Sequence, residues 1–390
     1  MLNEAVGAVI LAIWLYLLVG RGGFWLGSER DDTSPQIPQD KPAAWPAVAA
    51  IVPARDEAGG IAESIGSLLR QDYPGSFTVT LIDDNSSDGT AEIARRAAAA
   101  VPGGEARLRV IAGQPLAAGW TGKLWAVKQG VDAAEAGAAR PDYLLLTDAD
   151  IAHAPDSVRW LVAHAQGGGY VLASFMAKLR CDSFVERIHV PAFIFFFQML
   201  YPFAWVNRAG AATAAAAGGC MLVRADALRT AGGIAAIRDA LIDDCALART
   251  LKAQGPIWLG LTERARSIRP YDGWEEARRM VSRSAYAQLG YSPLLLLGTV
   301  LGLLLTYLAP PLLAVFGDGF ARFFGLAAWC AMALAFQPTL RFYRLSPLWG
   351  FALPAIAVLY LLYTLDSAWQ YVMGRGGAWK GRAQANVSRR

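Results

Sequence analysis

Residues 77–90 read FTVTLIDDNSSDGT, and residues 143–150 read YLLLTDAD. In each, an apolar run that fits a buried strand stops at acids. Asp83-Asp84 ends the first run and Asp148-Ala149-Asp150 the second. Two further acidic clusters bracket them along the chain, Asp56-Glu57 before and Asp243-Asp244 after. Carboxylates at strand ends gather at the carboxyl edge of a sheet, where open α/β folds bind ligands. Grouped there, they suit a divalent cation, Mg²⁺ or Mn²⁺, and the phosphates it bridges.

The same alternation extends outward from these two stretches. Ala47–Val52 (AVAAIV) reads as a strand and Ile61–Leu69 follows with helical spacing. Phe77–Ile82 is the second strand and Thr90–Ala99 the second helix. Leu108–Ile111 is a third strand, followed by a helix from Lys123 to Ala136 and a fourth strand at Tyr143–Leu146. This order predicts an α/β fold with a mostly parallel sheet and helices on both faces. No G-x-G-x-x-G follows any strand and no G-x-x-x-x-G-K-[ST] occurs. Both absences disfavour a dinucleotide-binding or P-loop reading.

Composition points to a membrane. Of 390 residues 55% are hydrophobic, and the mean hydropathy is +0.31, too apolar for an ordinary soluble enzyme. Residues 5–19 form an apolar run with Arg21 after it. No Lys or Arg precedes it, so it reads as an uncleaved anchor rather than a signal peptide. Arg21 puts the following domain in the cytoplasm. Residues 293–316, 320–336 and 347–369 are three more stretches of spanning length. The expectation is about four spans, with a basic tail whose side the charge rule leaves open. Val190–Val206 (VPAFIFFFQMLYPFAWV) is shorter and bounded by prolines. It reads as an interfacial helix, with a buried core helix as the alternative. The domain reading is an anchor at 1–27, a proline-bearing linker at 28–46, a catalytic domain at 47–290 with the interfacial helix at 191–206, transmembrane helices at 291–372 and a tail at 373–390.

The net charge of +4 comes from scattered cations, so nothing argues for nucleic acid. Cys181, Cys220, Cys245 and Cys330 lack zinc spacing and read as reduced structural thiols. His153, His164 and His189 form no metal-spaced set and read as structural or surface residues.

Each motif has a chemical reading beside a bland one. Asp83-Asp84 can accept from a nucleobase N–H or ribose hydroxyls, while Asp88 or Ser87 caps the next helix. Asp148 and Asp150, on one side of an extended chain, can share a metal that bridges two phosphates. Lys123 in Gly119–Ala126 (GWTGKLWA) opens a helix, where it meets a phosphate or is a surface lysine. Asp243-Asp244 starts an amphipathic helix with Leu247, Leu251 and Trp258 inward. The dipole explains one acid there, and the other is a candidate general base. Gly218-Gly219 lets a substrate approach the backbone, or is a flexible loop.

Together VPARDE (52–57), DDNSSDGT, GK-x-x-A, TDAD and DDCALARTL resemble family 2 glycosyltransferases of the GT-A fold. With the flanking spans the chain is similar to the membrane-bound, hopene-associated branch, the HpnB type. The resemblance implies that Pro53, Arg55 and Glu57 line the nucleotide site and that Asp83 or Asp84 contacts the base. It implies that Asp148 and Asp150 lie at the diphosphate, with Asp150 the metal ligand. It makes Asp244 the base of an inverting transfer and puts Gly218, Gly219 and Asp243 toward the acceptor. Where polymer synthases carry Q-x-x-R-W, this chain keeps only Arg283, which argues against processive synthesis. Arg283 is left to hold a phosphate of the leaving nucleotide, with Arg278 and Arg279 as alternatives. The expected activity is transfer from a UDP-linked sugar to a lipid acceptor, in hopanoid synthesis by resemblance. A polyprenyl-phosphate acceptor and a non-catalytic transporter or scaffold with a degenerate domain are the rivals.

Overall fold

A computed structural model describes residues 1–32, 44–137, 140–271 and 273–374, with the backbone of 378–379 and 382–383. The middle of the linker, 33–43, and most of the tail lie outside the described residues. The chain divides into two units: residues 29–180 with 205–270 and 378–390, and residues 1–28 with 181–204 and 271–377. Residues 181–204 and 271–290 therefore cluster with the apolar helices rather than with the sheet.

The first unit is built on β1 (Val48–Ala54), buried at every position as a strand flanked on both sides must be. β1 runs parallel to β2 (Phe77–Asp83) and to β4 (Tyr143–Thr147), and β2 runs parallel to β3 (Leu108–Ala112). The full order is β3-β2-β1-β4-β7-β6-β8-β5, adding β5 (Ile151–His153), β6 (Leu172–Lys178), β7 (Cys220–Arg224) and β8 (Ile257–Ser267). The sheet is mixed: β7 is antiparallel to β4 and β6, and β5 to β8, while β6 and β8 are parallel. The alternation legible in the sequence belongs to the parallel half.

Helices Ile61–Leu69, Thr90–Ala99 and Ser157–Gly168 supply Ile61, Ile65, Leu68, Ala94, Ala98, Val158 and Leu161 to one core with Val52, Leu81 and Phe175. Helix Gly122–Glu135 packs on β1 and β2 at Gly130. A Cβ there would fall 2.4 Å from Ile82 Cδ1 and 2.5 Å from Ile51 Cγ2. The start of the linker is tied to the sheet: Arg30 bridges to Leu261, and buried Asp31 accepts from Thr262 Oγ1 and Arg264 Nη1. Trp258, expected on the helix after Asp243, lies on β8, because that helix ends at Lys252.

The helical unit has its own core around Trp14, Phe195, Phe336 and Tyr360. Among the described residues five helices are long and apolar enough to cross a membrane: Leu2–Val19, Phe184–Val206, Pro293–Phe316, Gly319–Phe342 and Pro347–Val372. Phe184–Val206 contains the short aromatic stretch. Its helix starts at Phe184, before Pro191, through a capping box of Ser183 and Glu186. Val190, Ala192, Ile194 and Phe195 are fully buried, so the stretch packs as a core helix. Pro310 and Pro311 do not end their helix. A π-turn at Leu304–Leu308 precedes them, consistent with the lost N–H donors. Arg21 donates to the carbonyls of Met199 and Leu200, where helix Phe184–Leu200 ends.

Gly130→Ala should push helix Gly122–Glu135 off the sheet and destabilise the fold by about 2 kcal/mol, measured as a lower denaturation midpoint. An unchanged midpoint would show that the close approach is not a constraint.

Candidate active site

In the order 3-2-1-4 the chain reverses direction across the sheet between β1 and β4, and the carboxyl ends there form a crevice. A small cleft at that point is lined by Pro53, Lys123, Thr147, Asp148, Gly218 and Asp243, with apolar side chains behind. Lys123 is the second residue of its helix, which Thr121 caps through the Leu124 N–H. A cation in a first helical turn opposes the helix dipole. Here two acids offset it: Lys123 Nζ lies 2.9 Å from Asp148 Oδ1 and 3.1 Å from Asp243 Oδ2. With its side chain 18% exposed, Lys123 is not a surface lysine. Burial opposes its charge, but Asp148 and Asp243 outweigh that and raise its pKa.

Asp148 is pushed up by burial and drawn down by Lys123, and the neighbouring charge of Asp150 raises it further. Asp244 is raised to about 6, first by burial and then by the Asp243 carboxylate. Its Oδ2 accepts the Gly218 N–H at 2.9 Å and its Oδ1 the Cys245 N–H at 2.7 Å. The glycine pair is thus no flexible loop. A Cβ on Gly218 would stand 3.3 Å from Lys123 Nζ, and one on Gly219 3.2 Å from Ile151 Cδ1.

Asp148 and Asp150 do not share one extended face. They sit in the turn joining β4 to β5, and their carboxylates engage different cations. Arg269 Nε donates to Asp150 Oδ2 at 2.6 Å and its Nη2 to Glu57 Oε1 at 2.7 Å. Sequence reading missed Arg269. The available signal was its position two residues beyond β8, in RARSIR (264–269).

The third group lies after β1 and β2. Arg55 donates to the Asp84 carbonyl at 2.6 Å, and its guanidinium stands 3.8 Å from the buried Asp84 carboxylate. Asp83 is half-buried and accepts the Ser86 N–H. The two loops are laced together: Ser86 and Thr90 accept the Asp56 and Glu57 N–H groups, and Asp88 accepts that of Ala58. Asp56 and Asn85 take positive φ, 48° and 54°, to make this fit. Asp88 also accepts the Thr90 N–H and hydroxyl, which is the helix-start role the sequence suggested.

Twelve of the thirteen expected site residues therefore lie at one sheet edge. Arg283 belongs to the helical unit, where it is exposed just beyond helix Trp274–Ser282. Of the three histidines, His164 stacks on Trp160 and His189 is bonded to Tyr363, while His153 lies against Thr147 at the end of β4.

Among the described residues no three His, Cys, Asp or Glu converge to hold a metal by themselves. Asp148 and Asp150 fit an ion of the Mg²⁺ type, which takes one or two carboxylates and completes its shell with water and substrate phosphates. Asp148, made basic by burial, is a carboxylate that a further cation would favour.

Residues 49–232 match the family model described as Glycosyl transferase family 2. No curated protein sequence matches the chain. Among solved structures, mannosyltransferase PcManGT from Pyrobaculum calidifontis, in complex with GDP-Man and Mn²⁺, superposes with a TM-score of 0.55 at 19% identity, over 93% of this chain and 99% of that one. Glucosyl-3-phosphoglycerate synthase from Mycobacterium tuberculosis, in complex with Mn²⁺ and UDP-Glc, gives 0.39 at 19% identity over 63% of this chain and 79% of that one.

Lys123→Met should leave Asp148, Asp243 and Asp244 facing one another without their shared cation. The folded pKa values of Asp148 and Asp244, already raised, then stand further above the unfolded ones, so the deficit is full at high pH and shrinks as these two take up protons. Thermal melts should show a loss of about 2 kcal/mol near pH 8 and less near pH 5. An equal loss at both would mean that the side chain acts by packing alone. Residues 49–232 thus match the Glycosyl transferase family 2 model on a fold of the GT-A kind, and the chain is a glycosyltransferase.

Proposed function

We propose that the chain is a membrane-bound inverting glycosyltransferase that moves a sugar from a nucleotide-diphosphate donor, UDP-linked, to a lipid hydroxyl. The observation that carries this reading is the Asp244 carboxylate. Two backbone N–H groups hold it, its pKa is raised to about 6, and it stands next to the Lys123–Asp148–Asp243 cluster. A base is most effective when its pKa approaches the working pH. In one displacement, Asp244 takes the acceptor hydroxyl's proton as the oxygen attacks the anomeric carbon and the nucleotide diphosphate leaves.

Asp148 and Asp150 would hold Mg²⁺ or Mn²⁺, which when bound supplies charge neutralisation for the departing diphosphate. Pro53, Arg55, Glu57 and Asp83 or Asp84 line the nucleotide side. Lys123 faces the phosphates, Arg283 is proposed for the leaving nucleotide, and Gly218, Gly219 and Asp243 lie toward the acceptor.

A lipid acceptor accords with the five apolar helices. It sets a multi-pass protein with its catalytic domain on the cytoplasmic side of a bacterial inner membrane. A hopanoid acceptor is the finer reading and rests on the sequence resemblance.

The test incubates membranes containing the protein with labelled UDP- and GDP-sugars and reads lipid products by mass spectrometry. Label should enter a lipid, stop on chelation and return with Mg²⁺ or Mn²⁺. Label absent from every lipid fraction would sink the acceptor class. Asp244→Asn should lower kcat by about a thousandfold. Retained turnover in that variant would favour a phosphate acceptor, which needs no base.

The pH profile follows from the sign of the Asp244 shift. The carboxylate is protonated below about 6, so kcat/KM should fall about tenfold per pH unit beneath that value. A flat profile down to about pH 4.5 would exclude Asp244 as the base.

A further inference from the structure

The candidate base is supported from behind. Gly218 gives its N–H to Asp244 Oδ2, and the carbonyl of Gly219 accepts the Thr147 hydroxyl at 2.8 Å. Thr147 is the last residue of β4, one before Asp148, and its Oγ1 lies 3.0 Å from His153 Nε2. Both side chains are buried, Thr147 at 2% exposure and His153 at 5%.

The direction of these bonds follows from their chemistry. His153 Nδ1 is buried and has no hydrogen-bond partner. A neutral imidazole carries one N–H, and burying that donor unpaired is unfavourable. The proton therefore sits on Nε2 and is donated to Thr147 Oγ1. Thr147 then has one hydrogen to give, and it goes to the Gly219 carbonyl.

From this we infer that His153 and Thr147 are positioning residues for the base. A one-way chain of hydrogen bonds runs from imidazole to hydroxyl to the 218–219 backbone and fixes the N–H that aims the Asp244 carboxylate. The inference rests on Asp244 being the base. Three further observations support it. The backbone N–H of His153 donates to Ser67 Oγ at 3.0 Å and β5 pairs His153 with Ala265, so the backbone that carries the imidazole is held from two sides. Register pairs Thr147 with Cys220, which fixes where the glycine turn ends. Burial pushes His153 down to about 4, so the imidazole stays neutral and the bond direction holds at neutral pH.

The experiment compares Thr147→Val with Thr147→Ser and His153→Phe with His153→Gln. Transfer is measured from labelled UDP-glucose or GDP-mannose, whichever the parent uses, and calorimetry follows the matching nucleoside diphosphate with Mn²⁺. Removing the donor in Val or Phe should lower kcat about tenfold, while KM and nucleotide affinity stay within about twofold. Ser and Gln, which keep a donor, should recover most of the rate. Asp244→Asn runs alongside: if it turns over normally, the base reading fails first and separately. If it is inactive while both donor-less variants match the parent in kcat, the inference is overturned. It is overturned equally if the loss falls on KM or nucleotide affinity, or if Ser and Gln rescue nothing. Should Thr147→Val fail to fold, His153→Phe, which leaves the β4 end intact, reads the same loss.

Discussion

The ammonium of Lys123 is the contact on which the site's geometry depends. It joins the turn after β4, the first turn of helix Asp243–Lys252 and the first turn of its own helix. These segments are far apart in the chain, and two of them bring carboxylates that would repel at this distance. A partly buried cation between them converts repulsion into attachment, because Coulomb terms are stronger where water is scarce. Arg269 does the same between Asp150 and Glu57. The crevice between β1 and β4 thus holds its acids in fixed directions, the condition under which a donor site is preorganised.

Around this cluster, packing and hydrogen bonding decide where each acid points. Gly130 lets helix Gly122–Glu135 lie close on Ile51 and Ile82, and that proximity brings Lys123 over the end of β4. The laced loops after β1 and β2 accept two non-glycine residues at positive φ, conformations of order 1 kcal/mol or more above the usual wells. Ser86, Asp88 and Thr90 offset that strain by bonding the backbone of 56–58. The DDNSSDGT motif is therefore divided: Asp83 and its later residues build the loop, and the Asp84 carboxylate is buried beside Arg55.

Much of this was legible in the sequence because it is local. An apolar run ending in acids gives a strand and its terminus, and the first four strands and three of the helices between them fall within a residue or two of expectation. What could not be read is what depends on pairing across distance. Nothing local says that β7 runs antiparallel between β4 and β6, or that Arg269 reaches back to Asp150. The D-A-D tripeptide looked extended, but β4 must turn there so that β5 can pair with β8, and the turn sends its acids to separate cations. The aromatic stretch is longer than its bounding prolines suggest, because a capping box at Ser183, eight residues before Pro191, starts its helix.

The pairing of β6 with β7 has a consequence for how the polypeptide threads a bilayer. Ser174 and Met221 are partners in one sheet, so the chain on either side of the excursion between them stays in one aqueous compartment. Between the two strands lies a single long apolar helix, Phe184–Val206. One complete traverse would strand half of the sheet on the far side, so parity forbids it. However oily its sequence, this helix does not carry the chain across a membrane by a single traverse.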